Sequence, residues 1–303
     1  MTEKEPVIKI RGLTKMYGDV VGIKDLDLDV YPGEVMGFLG PNGAGKTTTI
    51  RTCLGFLQKT EGDVKIFGKD SNRDSVEISK RTGYIPGDFD LYPDLKVKTV
   101  LNYLLSLSGT RSKEKMLDLA ERFELDLEKK IKELSKGNRQ KVGIVQAFMA
   151  DQDLLILDEP TAGLDPLMQE EFYDLVREEK EKGKTIFMSS HILAEVEKIC
   201  DRVAIIRDGT LQVVEHIEKL QDKVGKVMNV EFREEIDPSA FDIEGVKDIE
   251  REGSELEMII THNIDEVIKE VSRHQIVNLN LETFSLDQLF LRFYSEGDED
   301  DDG

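Results

Sequence analysis

Cysteine is almost absent: Cys53 and Cys200 are the only two in 303 residues. They are too few and too far apart for a disulfide framework or a cysteine-based metal site, so a reducing cytoplasm is the expected setting. Basic residues are also in short supply, with 41 Lys and Arg against 62 Asp and Glu and a formal net charge of -21. That deficit opposes a broad, sequence-independent grip on nucleic acid, and no nucleic-acid partner is expected. Six of the negative charges belong to Glu296, Asp298, Glu299, Asp300, Asp301 and Asp302, yet the chain stays acidic without them. The acidity reflects either a saline cytoplasm or solubility. Long apolar runs are missing too. A membrane span needs about 18 consecutive apolar residues, whereas the candidates here are strand-length, such as Leu154 to Leu157. The opening Met1-Thr2-Glu3-Lys4-Glu5-Pro6 has no apolar core and does not read as a secretory signal. Any service to a membrane is expected to run through a partner.

What is present is enough chain to bury a full core and more than one ordinary domain requires. The run Gly40-Pro41-Asn42-Gly43-Ala44-Gly45-Lys46-Thr47, followed by Thr48, fits G-x-x-x-x-G-K-[ST]. It sits between a strand-like Glu34 to Leu39 and a helix-like Thr47 to Leu57. A helix entered this way points unpaired first-turn amides at the loop and forms an anion site. The glycines let the backbone approach phosphate oxygens, Lys46 supplies a positive charge for the outer phosphates, and Thr47 offers a hydroxyl to Mg²⁺. Nucleoside triphosphate binding follows.

Leu154-Leu155-Ile156-Leu157-Asp158-Glu159 is four aliphatics followed by two acids. It has the pattern of a fully buried parallel strand that delivers carboxylates at its carboxyl end, where ligand chemistry in open α/β sheets collects. Asp158 is placed to share Mg²⁺ with Thr47, and Glu159 to orient or deprotonate the attacking water. Pro160 then stops the strand. Hydrolysis, rather than binding alone, is the expectation.

Between these motifs lies Leu134-Ser135-Lys136-Gly137-Asn138, followed by a helix-like run to Ala150. The stretch resembles the signature sequence of ABC-type ATPases. Tyr17 lies where that family places an aromatic on adenine, Ala162-Gly163-Leu164-Asp165 matches its D-loop, and His191 matches its switch histidine. The resemblance spans roughly residues 7 to 225 and implies a P-loop NTPase (RecA-like) α/β core with an antiparallel β subdomain and an α-helical subdomain at about 90–150. It further implies ATP and Mg²⁺ as cofactors. Ser135 and Gly137 of one chain would face the γ-phosphate held by Lys46, Thr47, Asp158, Glu159 and His191 of a second chain.

Two departures from the family pattern stand out. Lys136 replaces the first Gly, and Asn138 the Gln, of the usual LSGGQ. In Thr82-Gly83-Tyr84-Ile85-Pro86-Gly87-Asp88, the family's metal- and water-contacting Gln falls on Gly87, leaving either Asp88 or a bridging water to take its place. Single residues also have plainer readings. Tyr17 reads as a half-buried strand aromatic or as an adenine platform, His191 as a helix-start residue or a γ-phosphate contact, and Asp165 as a turn acid before Pro166 or a subunit contact.

Alternating Val7 to Ile10, Leu26 to Val30 and Gly62 to Phe67 read as half-exposed antiparallel strands. Helical runs are expected at Val97 to Leu107 and at Lys113 to Phe123, the latter behind a Ser112 cap with Met116, Leu117, Ala120 and Phe123 on one face. Strands at Leu154 to Leu157, Thr185 to Ser190 and Val203 to Ile206 complete a parallel sheet.

From 226 to 295 a small α+β unit is expected. It has strands at Lys226 to Phe232, Val246 to Arg251, Glu255 to Thr261 and Ile276 to Leu281, and helices at Ile264 to His274 and Leu286 to Tyr294. An acidic, disordered tail follows at 296–303. Such an extension resembles those on ATPases serving ABC-2 type permeases; it regulates, helps pair subunits, or simply caps the fold.

The reading is therefore an ATP-hydrolysing subunit, dimeric and most simply a homodimer. It works at the inner face of a cell membrane beneath a separately encoded permease, in export rather than import. The rivals are a soluble ABC ATPase of translation or DNA maintenance and a non-hydrolysing, ATP-gated interaction module.

Overall fold

The computed structural model describes residues 5–87, 91–108 and 113–283. The chain divides into two units, Met1–Glu215 and His216–Gly303. The break falls earlier than the boundary at 225 read from the sequence.

In chain order the first unit runs β1 (Ile8–Tyr17), β2 (Val20–Val30), β3 (Val35–Leu39), α1 (Lys46–Cys53), β4 (Glu61–Ile66), β5 (Lys69–Asp70), α2 (Ser75–Lys80) and β6 (Thr82–Ile85). Helices α3 (Val97–Leu107), α4 (Glu114–Arg122) and α5 (Lys136–Phe148) follow. Then come β7 (Leu154–Asp158), α6 (Pro166–Glu181), β8 (Thr185–Ser190), α7 (Leu193–Ile199), β9 (Arg202–Arg207) and β10 (Thr210–His216).

Burial sorts these strands into two sheets. β3, β7 and β8 are buried at every position, as strands covered on both faces must be. They lie in a sheet of order β10-β9-β3-β8-β7-β6, parallel from β9 through to β6. β10 extends its edge through the two-residue turn Asp208-Gly209, both at positive φ, the geometry of a hairpin turn. In β1 and β2 only alternate side chains are buried over much of the length, so these strands form an antiparallel sheet of order β2-β1-β4-β5. One core joins both sheets to α1, with Ile10, Leu28, Phe38, Ile50, Ile156 and Phe187 fully or nearly fully buried.

Helix α1 is shorter than the expected Thr47 to Leu57. Gly55 at φ 73 and the amide of Phe56 bonding back to Arg51 end it, a glycine stop of the usual kind. α3 matches its expected bounds and buries Val97, Val100, Leu101 and Leu105. In α4 the buried face is Met116, Leu119 and Ala120, continued by Phe123, while Leu117 is 48% exposed. The expected stripe was misplaced at Leu117 because a neighbour of Met116 sits about 100° around the helix, whereas Leu119 returns to its side. The proposed Ser112 cap and Asp88 lie outside the described residues.

The second unit comprises α8 (Ile217–Val224), β11 (Lys226–Phe232), β12 (Val246–Glu252), β13 (Glu255–Ile260), α9 (Ile264–Val271) and β14 (Ile276–Thr283). Its sheet, ordered β12-β13-β11-β14, is antiparallel throughout. Met228, Val230, Phe241, Leu256, Met258 and Val267 form its own core. The run Leu286 to Tyr294 and the acidic tail lie outside the described residues.

Candidate functional site

Parallel register delivers the chemistry to one edge. Leu39 pairs with Ser190 and Asp158 with Ser189, so the loop leaving β3, the acids ending β7 and the residue after β8 converge at the carboxyl ends of three adjacent strands. The loop Gly40-Pro41-Asn42-Gly43-Ala44-Gly45 turns from β3 into α1, with Gly45 at φ 105 as the residue before the helix. A Cβ there would stand 2.7 Å from the Gly22 carbonyl oxygen, so only glycine fits.

Lys46 is 6% exposed, and its ammonium is fully engaged. Nζ donates to the carbonyl oxygens of Gly40 at 2.6 Å and Pro41 at 3.0 Å, and lies 3.2 Å from Glu159 Oε1. Beside it, Thr47 Oγ1 donates to Asp158 Oδ1 at 3.2 Å, and Ser189 Oγ donates to the same oxygen at 2.7 Å. Asp158 is fully buried, and its Oδ2 has no hydrogen-bond partner among the described residues. Burial pushes the Asp158 carboxyl above the usual carboxylate range, and the two hydroxyls act against that rise.

An orphaned carboxylate oxygen next to a threonine hydroxyl is the hard-oxygen pair that a magnesium ion takes from a protein. No group of three or more His, Cys, Asp or Glu that could hold a metal occurs among the described residues. Thr47 and Asp158 thus fit an ion whose remaining ligands are phosphate and water, and the chemistry such an ion supplies is neutralisation of phosphate charge.

Glu159 adopts the left-handed region at φ 49, uncommon for a residue with a side chain. Its amide donates to Ser189 Oγ at 3.0 Å, and its Oε2 meets His191 Nδ1 at 2.7 Å. One carboxylate therefore touches both the loop lysine and the histidine after β8.

Between the loop and the antiparallel sheet is a cavity of about 340 Å³. Tyr17, Val20 and Val21 line one part of it, and Lys46, Thr47, Thr48 and Glu159 another. The volume suits a small ligand. Tyr17 is 47% exposed, with Lys15 Nζ 5.0 Å from its ring centroid, so the ring lies at the cavity wall rather than filling the core.

The structure does not bring every expected residue to this cavity. Ser135, Gly137 and Asp165 are not among its lining residues, and Asp158 and His191 adjoin it through Thr47 and Glu159 rather than lining it. Ser135 caps α5 by accepting from the Asn138 amide at 3.2 Å, and Asp165 caps α6 by accepting from the Met168 amide at 3.0 Å. The helix therefore begins at Lys136, not near Asn138. Gly87, the position of the missing Gln, does face the site, for a Cβ there would stand 3.1 Å from Asp158 Oδ2.

Three polar supports went unrecognised in the sequence. Ser189 serves both Asp158 and Glu159. Glu195 on α7, 4% exposed, accepts from Thr161 Oγ1 at 2.6 Å and Ser190 Oγ at 2.7 Å, tying the exits of β7 and β8 together. Gln140 on α5 reaches the backbone beside Glu159. The available signal was hydroxyls and an acid placed in otherwise aliphatic elements.

A family model described as ABC transporter matches residues 23–162. The chain is 35% identical over 289 residues to an uncharacterized ABC transporter ATP-binding protein of Methanocaldococcus jannaschii, covering 92% of this chain and 99% of that protein. It is 40% identical to the bacitracin transport ATP-binding protein of Bacillus licheniformis, over 68% of each. It is 34% identical to a Nod factor export ATP-binding protein of Cupriavidus metallidurans, over 67% of this chain and 69% of that protein. Among solved structures, an ATP-binding subunit of an ABC transporter superimposes with a TM-score of 0.67 at 30% identity, covering 72% of this chain and 92% of that one. A dimeric ATP-binding cassette in a post-hydrolysis state with ADP and phosphate superimposes with a TM-score of 0.63 at 26% identity, covering 69% and 98%. The loop, the paired acids and the histidine thus stand in a chain that belongs to the ABC transporter family, among its ATP-binding subunits.

Proposed function

We propose that two copies of this chain close head to tail around two ATP molecules, and that hydrolysis reopens the pair and moves a separately encoded membrane permease, in export. The observation that carries the reading is the pair Lys46 and Glu159 at one end of a cavity whose other end holds Tyr17, with His191 bonded to Glu159. Tyr17 takes the base. Lys46 is held by two loop carbonyls and Glu159, and incoming phosphate oxygens compete for the same ammonium. Once Lys46 turns to phosphate, Glu159 keeps His191 as its partner and is free to take a proton from water. This favours hydrolysis over an interaction module that merely binds ATP.

The pairing rests on Ser135 and Gly137 standing apart from their own chain's cavity. Ser135 Oγ spends a lone pair on its cap and keeps its proton for a phosphate oxygen, and the amide end of α5 favours negative charge. That the post-hydrolysis cassette with ADP and phosphate is dimeric supports a pairing of two copies. Asp165, which caps α6, takes a place at the subunit contact.

A permease helix has a seat in a second cavity, of about 500 Å³, lined by Phe56, Val76, Tyr84, Leu104 and Leu107. Phe56, Val76 and Leu107 are each more than half exposed, an apolar patch at a subdomain edge of the kind that marks a protein interface. Among the described residues no helix is long and apolar enough to cross a membrane. Attachment to the inner face of the membrane, in the cytoplasm, is therefore assigned to the permease. Export follows the transport and export relatives.

The test is Glu159→Gln. ATP turnover should fall by about 10²–10⁴-fold, the range for loss of a positioned base. Gel filtration with ATP and Mg²⁺ should show a dimer. A variant that stays monomeric at saturating ATP, or turns over ATP like the parent, overturns the reading.

A further inference from the structure

The signature helix of this chain is bonded to the chain's own glutamate turn. Gln140, one turn beyond the start of α5, is 6% exposed. Both protons of its amide are spent on one short stretch of backbone, with Nε2 donating to the carbonyl oxygen of Glu159 at 3.1 Å and of Pro160 at 2.8 Å. A second contact joins the same two segments at the helix start. A Cβ on Gly137 would stand 2.4 Å from the Gly163 carbonyl oxygen, so α5 lies directly against the loop between β7 and α6.

The backbone that Gln140 grips is the one that needs gripping. Glu159 holds φ 49, a strained conformation for a residue with a side chain that persists only where its surroundings over-determine it. Its amide is taken by Ser189 and its carbonyl by Gln140 and the Ala162 amide. Ser189 belongs to the rigid parallel sheet, whereas Gln140 belongs to the helix whose first residues face outward from this cavity.

We propose that Gln140 is a positioning residue that couples the two ATP sites of the closed pair. The proposal rests on the head-to-tail arrangement given above. When Ser135 and Gly137 of one chain engage the phosphate bound by the other, any displacement of α5 is delivered through the Gln140 amide to the carbonyl of Glu159 in its own site. Engagement of one nucleotide thereby sets the carboxylate that takes the proton from the water attacking the other. The Gly137–Gly163 contact leaves no slack, because a backbone pressed on backbone cannot absorb the motion.

Gln140→Met keeps the length and removes both donors; Gln140→Glu keeps the shape and turns acceptors toward two carbonyls. Both should lower kcat about tenfold or more at saturating ATP while KM for ATP stays within about twofold, and the Hill coefficient for ATP should fall from above 1 in the parent toward 1. In the Glu159→Gln protein with Gln140 intact, ATP should protect the amides of 159 and 161–164 from hydrogen exchange together with those of 135–140. A Gln140→Met protein that dimerises with ATP and keeps the parental kcat and Hill coefficient overturns the coupling and leaves the pairing intact. So does protection confined to 135–140, a readout that needs no variant at Gln140 to fold. A Glu159→Gln protein that remains monomeric removes the pairing, and the coupling with it.

Discussion

At the scale of single residues, the site is built less from reactive groups than from atoms that allow no substitute. Gly137 is the sharpest case. It lies in the first turn of α5, where alanine would ordinarily gain up to about 1 kcal/mol of helix propensity. Against that, a Cβ would stand 2.4 Å from the Gly163 carbonyl oxygen, a backbone atom that cannot swing aside. Overpacking of this kind typically costs about 1–3 kcal/mol, so the clash outweighs the propensity. Gly137→Ala should therefore lower the urea midpoint and also reduce ATP turnover by shifting α5. Equal or greater stability would show that the contact is loose. Resemblance to the family assigned Gly137 to a phosphate on another chain; its fit against Gly163 was not legible, because a tertiary backbone approach leaves no mark on local sequence. Lys46, Asp158 and Glu159 were legible because loop-then-helix and aliphatic-run-then-acid are contiguous patterns, and parallel pairing of their strands brings them together whatever the rest of the chain does.

At the scale of elements, α7 acts as a bracket between two strand ends. Glu195 accepts one hydroxyl from the segment after β7 and one from the end of β8, and those strand ends carry Glu159 and His191, whose side chains meet at 2.7 Å. Glu195→Ala removes the acceptor of both hydroxyls; Ser190 Oγ keeps its bonds with the Ile192 backbone, whereas Thr161 Oγ1 loses its acceptor, at about 1–3 kcal/mol. The change should lower both the unfolding midpoint and kcat, with kcat down about tenfold and KM little changed. Glu195→Gln can accept from one hydroxyl and donate to the other, so it should recover most of both. If Ala and Gln behave alike in an ATPase titration, the carboxylate does not hold the histidine in place. Periodicity predicted α3 and β8 with their full bounds, since both have strong apolar patterns. It missed β6 and the short α2, whose few apolar positions resemble a loop, and it ran α1 through the Gly55 stop. Gln140 and Glu195 were invisible for a related reason. A polar residue in an amphipathic helix reads as a solvent-facing one until the partner element is in place.

At the scale of the whole molecule, an acidic chain has to place its few cations well, and the first unit gathers three of them on one carboxylate. Glu179 of α6 has a fully buried side chain with Lys115 of α4 at 2.9 Å, Lys182 at 3.0 Å, and Lys184, at the entry to β8, at 2.7 Å. The cluster fastens the helical segment to the sheet that bears the acids. Burial pushes the Glu179 carboxyl upward, but Lys184, Lys115 and Lys182 outweigh it and hold the group down at about 2. A carboxyl whose folded pKa lies below its unfolded value, about 4.3, favours the fold in full above that value. The contribution is lost as the pH falls toward 2. Glu179→Gln takes the buried carboxylate from three lysines and leaves Lys184, itself 8% exposed, with only the exposed Asp151 at 3.0 Å; breaking a buried pair costs about 3–5 kcal/mol, and the remaining partner brings the loss toward or below the lower end. Urea unfolding should therefore show the variant well below the parent at pH 7, with the gap narrowing between about pH 5 and pH 2 as the parent's own carboxylate takes up its proton. A gap that is the same at pH 7 and pH 3 would mean that shape, and not charge, fastens α4 and α6 to the sheet.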